Sequence, residues 1–153
     1  MVKSQSSTLI RCPVPDVFGF VVTDFVRNYP RWSPEVQELT PLSSGPLSVG
    51  WMARQVRIDQ GRRSEADFRV IELEPDRQVC FKGIKDPFVI NYIFEPQQDY
   101  TRLTFSFELA RLNFAMRPFE KLIRVAVKDG TDRVVRDLKI LAERELGQKK
   151  TTD

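Results

Sequence analysis

A chain of 153 residues, 41% hydrophobic and with a formal net charge of +3, is long enough to bury one substantial core and too short for two. It has no histidine, which excludes Ser-His and Cys-His nucleophile pairs, imidazole proton shuttles and most zinc sites, and leaves any catalysis to carboxylate, lysine, tyrosine or oriented water. The glycines are scattered, with no phosphate-binding P-loop and no GxGxxG turn, so nucleotide chemistry is not expected. Cys12 and Cys80 lack CxxC spacing and read as small buried hydrophobes, with no metal or dithiol centre. No apolar run approaches the roughly 18 residues of a membrane span, and the opening MVKSQSSTLI lacks a secretory core, so the expected location is cytoplasmic.

In chain order, residues 6–12 (SSTLIRC) read as a strand closed by PVPD, where Asp16 is placed to cap the helix that follows Pro15. That helix is expected to reach about Val26, with Val17, Phe18, Val21, Val22 and Phe25 at helical spacing toward the core. Pro30 and Pro34 prevent a long continuation, which leaves NYPRWSP as a turn or a broken second helix carrying Trp32. From Val36 to Ala110 the hydrophobic period is two, broken by the turn signals SSGP, DQG, EPD, KDP and PQQD. Hairpins in succession without intervening helices predict an antiparallel sheet with one buried face. In FVINYIF that face holds Phe88, Ile90, Tyr92 and Phe94, and in TRLTFSFEL it holds Leu103, Phe105, Phe107 and Leu109. After Asn113 the period returns to that of a helix. Pro118 takes a first-turn position, and Phe119, Leu122, Ile123, Ala126, Gly130, Val134, Leu138 and Leu141 make one stripe that predicts a long terminal helix lying across the sheet. A single domain over residues 1–153 is expected, with its core at about 7–145 and a polar tail at 147–153.

This order of elements resembles the helix-grip fold of the START-like (SRPBCC) superfamily, which includes Bet v 1-like proteins and the polyketide cyclase/dehydrase and lipid-transport family. CPVPDVFGFVVTDFVRNYPRWSPEV is similar to the opening of that family, and GPLSVGW, VIELEPDRQVCFKG and YIFEPQQDYTRLTFSFEL are similar to its later strands. The resemblance implies an α+β fold: a curved antiparallel sheet of about six or seven strands wrapped around the long C-terminal helix, with two short helices after the first strand. It also implies a cavity between sheet and helix, open to small hydrophobic or amphipathic molecules. Members bind lipids, isoprenoid quinones or plant steroids, or cyclise and dehydrate polyketides, so the fold does not fix the function. The run from Asp24 to Pro34 is also similar to a coenzyme-Q-binding branch.

Against that frame the candidate ligand-binding residues are Trp32, Trp51, Gln55, Arg57, Phe68, Phe81, Tyr92, Phe105, Phe107, Phe119, Ile123, Ala126 and Gly130. Trp32 reads either as a packing anchor or as a gate that touches ligand. The inward aromatics either fill the core or line a cavity. Along GWMARQVRIDQGRR the family pattern turns Trp51, Ala53, Gln55 and Arg57 inward; the opposite parity would present Met52, Arg54, Val56 and Ile58. Inward-facing Gln55 and Arg57 need partners, either a ligand's carbonyl or carboxylate or an acid such as Asp67 or Glu65. Gly130 costs about 1 kcal/mol relative to alanine inside a helix, and three accounts compete for it: a helix break at KDGTD, close packing on the sheet, or ligand space shared with Ala126. Residues 111–150 hold 11 Lys and Arg against 6 Asp and Glu, which suits either a solvated face or weak contact with an anionic membrane surface. No aromatic and basic ladder points to nucleic acid. The leading expectation is a carrier or sequestering protein for a lipid, isoprenoid quinone or polyketide-like ligand, without cofactor, metal or assigned catalytic residue. A cyclase or dehydratase acting in the same cavity, and an interaction module with a filled core, are the alternatives.

Overall fold

The first strand, β1, spans Val2–Ile10, earlier at both ends than the hydrophobic pattern predicts, because its whole length pairs with the last strand, from Val2 opposite Leu109 to Ile10 opposite Thr101. The structure is a computed structural model that describes the backbone of residues 1–151 and side chains through Gly147. Helix α1 (Val14–Phe18) begins at Pro13 without a side-chain cap, and Asp16 sits inside its first turn instead of capping it. The single helix expected to Val26 is interrupted by a π-helical turn at Gly19–Thr23, in which the Asp24 amide reaches back to the Gly19 carbonyl at 3.0 Å. The Asn28 side-chain amide then donates to the Phe20 carbonyl at 2.9 Å, giving that buried acceptor a partner where the helix is widened. Helix α2 (Phe25–Trp32) contains Pro30, so NYPRWSP takes the helical form of the two that its prolines allow.

Strands β2 (Val36–Pro41), β3 (Met52–Asp59), β4 (Arg62–Glu74), β5 (Gln78–Gly83), β6 (Phe88–Gln97) and β7 (Tyr100–Leu109) follow. They form one seven-stranded sheet in the order β1-β7-β6-β5-β4-β3-β2, antiparallel at every pairing. Each predicted turn signal falls between two strands. In the turn between β3 and β4 Gln60 and Gly61 both take left-handed backbone, with φ of 51° and 82°, as a two-residue hairpin turn of this twist requires. Register slips by one residue between Val36 and Glu38 and between Val70 and Glu72, and such bulges bend the sheet around what it encloses. Gly83 closes β5 where an added Cβ would strike the Asp86 carbonyl and the Phe88 ring, so only glycine lets the turn before β6 fold down this tightly.

A 3-10 turn at Arg117–Phe119 leads into α3 (Glu120–Thr151). The helix runs unbroken through Asp129, Gly130, Thr131 and Asp132, which removes the helix-break account of Gly130. Its backbone stays helical to Thr151, into the stretch expected as a polar tail; residues 152–153 of that tail lie outside the described residues. The C-terminal half of α3 is tied down. Lys139 donates to the Leu9 carbonyl at 2.5 Å, Glu143 accepts from the Arg11 amide at 3.1 Å, and Glu145 accepts from Arg31 of α2 at 3.0 Å. Beneath it lies the core: Val134, Val135, Leu138 and Ala142 pack with Val17, Val21, Phe25 and Trp32. Cys12 and Cys80 are buried thiols. Among the described residues no helix is long and apolar enough to cross a membrane. The arrangement is the helix-grip fold that the sequence resemblance implies.

Candidate functional site

The N-terminal half of α3 behaves differently from the C-terminal half. Between it and the concave face of the sheet lies a cavity of about 540 Å³, within the size range of pockets that hold small organic ligands. Its apolar wall comes from alternate residues of the last two strands, Phe88, Ile90, Phe105 and Phe107, faced across the space by Ile123, Ala126, Val127 and Val134 of α3. Strand alternation aims the first set and helical spacing the second. Nothing lies within 4 Å of where a Cβ on Gly130 would sit. Close packing on the sheet therefore does not explain this glycine, and the open space beside it belongs to the cavity.

The other wall is polar. Glu35, which follows α2, joins Arg57 of β3 at 4.0 Å and also pairs with Arg133 of α3, so one carboxylate links the three elements that frame this side. Arg57 donates twice to Asp59, at 3.2 and 3.1 Å. Burial works against the Arg57 charge, but the hydrogen bonds to Asp59 and the nearby acids raise its pKa, and it stays cationic. It does not pair with Asp67 or Glu65 as one sequence reading has it: those two acids take Arg54 instead, because Arg54 points to the other face of β3. The lining acids Glu35, Asp59 and Asp86 outnumber the two arginines, and Glu65, which borders the cavity, turns its carboxylate to Arg54 on the other face.

Two buried hydrogen bonds mark the inner end. The Tyr29 hydroxyl donates to Gln55 Oε1 at 2.8 Å, and Trp32 Nε1 donates to the Tyr92 hydroxyl at 3.2 Å. Burial pushes the Tyr29 hydroxyl's pKa up, opposed in part by the Arg57 guanidinium beside it. Burial likewise pushes Tyr92 far up. Both phenols remain protonated at neutral pH. Stacked and tilted aromatic contacts extend below, from Tyr29 to Phe25 (4.8 Å between centroids), from Phe25 to Phe81 (4.7 Å) and from Tyr92 to Phe105 (5.0 Å).

Of the residues predicted from sequence, Gln55, Arg57, Tyr92, Phe105, Phe107, Ile123, Ala126 and Gly130 line this cavity. Trp51, Gln55 and the Ala53 between them all face inward, which settles the parity of β3. Trp32 and Trp51 lie in the packed core instead, 0% and 3% exposed, and Trp32 meets the site through the hydroxyl of Tyr92 and edge-on ring contacts with Tyr29 and Tyr92. Phe68 and Phe81 line a crevice of about 10 Å³ beneath the floor, too small for a ligand. Phe119 is 53% exposed and does not line the cavity. The sequence reading omits Tyr29, Glu35, Phe88, Ile90, Val127 and Arg133, all of which line the cavity. Strand alternation already puts Phe88 and Ile90 on the face of Tyr92, and helical spacing puts Val127 one turn after Ile123. Only tertiary contact brings Tyr29, Glu35 and Arg133 together. No cluster able to hold a metal ion occurs among the described residues.

Solved structures with the same fold include the Zhui aromatase/cyclase from a Streptomyces species, with a TM-score of 0.74 and 13% identity over 94% of each chain. A major latex-like protein from Panax ginseng matches at a TM-score of 0.68 and 18% identity, over 92% of this chain and 96% of that one. A polyketide-cyclase-like protein from Corynebacterium glutamicum matches at 0.66 and 23%, over 93% and 92%. At these identities the likeness is one of fold. No curated protein matches the chain by sequence. The chain belongs to the polyketide cyclase/dehydrase and lipid transport family, whose description it matches over residues 1–143.

Proposed function

We propose that this protein binds a small amphipathic ligand, of lipid, isoprenoid quinone or polyketide-like type, between the sheet and the N-terminal half of α3, and acts as its carrier or sequestering protein. One observation carries the reading: a cavity of about 540 Å³ with an apolar wall on one side and a polar wall on the other. Burial of the ligand's hydrocarbon against Phe88, Ile90, Phe105 and Phe107 supplies affinity, at about 25 cal/mol per Å² of apolar surface removed from water, and the polar side sets orientation. The residues proposed to touch ligand are the lining ones, to which Tyr29, Phe88, Ile90 and Val127 are added and from which Trp32, Trp51, Phe68, Phe81 and Phe119 are removed. A thermal-shift panel of fatty acids, quinones and polycyclic phenols tests it. A saturable rise in Tm with one class is expected, since a ligand bound only by the native state stabilises it by mass action. No rise with any class would leave an interaction domain.

Contact with an anionic membrane surface belongs to the same proposal. Phe114, Phe119, Leu122 and Val125 are 86%, 53%, 70% and 60% exposed, on the segment that leads into and forms the cavity-lining half of α3, with Arg111, Arg117 and Lys121 exposed among them. Apolar groups ringed by cations match the boundary of a negatively charged bilayer. Cosedimentation with phosphatidylglycerol vesicles but not with phosphatidylcholine vesicles is expected. A dimer in solution that buries this face would contradict it. A cyclase or dehydratase reading is favoured by one feature, the protonated Tyr92 hydroxyl at the cavity's inner end, and turnover of a linear poly-ketone would establish it.

A further inference from the structure

The two hydrogen bonds at the inner end have a fixed direction, and the direction limits what the cavity accepts. Tryptophan's indole N–H is a donor only. Because Trp32 Nε1 donates to the Tyr92 oxygen, the Tyr92 hydroxyl proton is turned elsewhere, and it has no protein acceptor among the described residues. The same logic runs through Tyr29. The positive guanidinium of Arg57 lies beside the Tyr29 hydroxyl and repels its proton, so the O–H points away, to Gln55 Oε1 at 2.8 Å. With its carbonyl oxygen occupied, Gln55 has its amide NH2 left for the cavity that it lines. Both chains start at a group that can only donate, and both therefore end as donors at the same buried wall.

Charge narrows the choice further. An anionic ligand end would need a cation, but Arg57 is held by Asp59 and Glu35, and Arg133 by Glu35, within a lining where acids predominate. Buried donors without acceptors are costly, and a neutral acceptor oxygen is what satisfies them.

We propose that the inner end of the ligand is a neutral carbonyl oxygen, of a ketone, quinone or lactone, which accepts hydrogen bonds from the Tyr92 hydroxyl and the Gln55 amide. The inference rests on the ligand-binding reading of the cavity and names its chemistry. A ligand with an ammonium or an N–H donor at that end meets two opposing donors, and a plain hydrocarbon leaves both without acceptors.

The test uses two fluorescent probes of similar size on the full chain: 6-propionyl-2-dimethylaminonaphthalene, a neutral ketone whose emission moves to longer wavelength when its carbonyl accepts a hydrogen bond, and 2-dimethylaminonaphthalene, which lacks the ketone. The ketone is expected to bind more tightly by about three- to tenfold, the worth of one or two neutral hydrogen bonds. Tyr92→Phe should remove most of that preference and shift the bound ketone's emission to shorter wavelength. Because Tyr92→Phe also strips Trp32 of its acceptor, Gln55→Glu serves as a second variant: it keeps the acceptor for Tyr29, replaces the donor at the wall with an acceptor, and should likewise abolish the preference for the ketone. Equal binding of both probes by the unmodified protein, or a ketone preference that survives both variants, overturns the proposal while leaving the cavity reading intact. Failure of both probes to bind overturns both.

Discussion

The two halves of α3 share one hydrophobic stripe and do opposite things with it. From Val134 to Ala142 the stripe is locked into the aromatic core around Trp32 and Phe25, and Lys139, Glu143 and Glu145 fasten the helix to β1 and α2. From Ile123 to Gly130 it stands away from β6 and β7, walls a cavity with Ile123, Ala126 and Val127, and leaves Leu122 and Val125 exposed, while Arg124 and Lys128 reach the Met1 and Gln5 carbonyls at 2.7 and 3.3 Å. The difference follows from residue size and from what faces each half. Ala126 and Gly130 are too small to cross the gap to β6 and β7, whereas Leu138 meets a floor built up by α1 and α2. Both halves are fastened along β1, the N-terminal one by Arg124 to the Met1 carbonyl at 2.7 Å and by Thr131 to Ser4 at 3.0 Å, so what separates them is apolar packing, and stability and binding are assigned to separate stretches of one element.

If the packed half carries stability, truncation there is expensive. Leu138→Ala, at a fully buried position, is expected to cost about 2–5 kcal/mol. Ile123→Ala, at the open half, is expected to cost under about 1 kcal/mol because solvent or ligand already meets that side chain. Chemical denaturation of the two variants checks the contrast, and equal costs would break it.

The boundary between the halves is marked by Tyr29 and Tyr92, and it responds to pH. Burial raises both pKa values in the folded chain, so the stability they contribute is complete below the unfolded tyrosine value of about 10 and is lost as pH rises above it. By pH 11 the loss is expected to be about 1 kcal/mol per buried tyrosine. Denaturant titrations at pH 8 and 11 measure it; the Cys80 thiol, which burial pushes up to about 11, contributes in the same window, and in Tyr92→Phe the loss should be smaller by the share of one tyrosine. An undiminished loss in that variant would place the effect elsewhere.

Periodicity made the sheet legible in the sequence. Period two between turn signals located the hairpins from β2 to β7, and the inward faces of β6 and β7 followed from alternation alone. The early helices were harder to read, because a π-helical turn at Gly19–Thr23 is set by the fit of Asn28 and Phe20 in the folded chain and has no local signature of its own. The cavity was legible in part. Ala126 and Gly130 signalled thin walls, yet Trp32, Trp51, Phe68 and Phe81 were indistinguishable by residue type from lining aromatics, and only packing shows that they form the floor's support. Tyr29, Glu35 and Arg133 stayed hidden for a different reason: they lie on three elements far apart in sequence, and their convergence is a property of the fold.

The central claim is that the space beside Gly130 is where a ligand sits, and Gly130→Leu tests it most directly when stability and binding are measured on the same sample. A leucine there is expected to fill open space and to favour the helix by about 1 kcal/mol over glycine. The variant should therefore melt at or above the parent's Tm while losing at least tenfold in affinity for whichever ligand class raises that Tm. A variant that melts well below the parent and binds the same ligand undiminished would show that Gly130 is a packing contact and that the cavity beside it holds nothing.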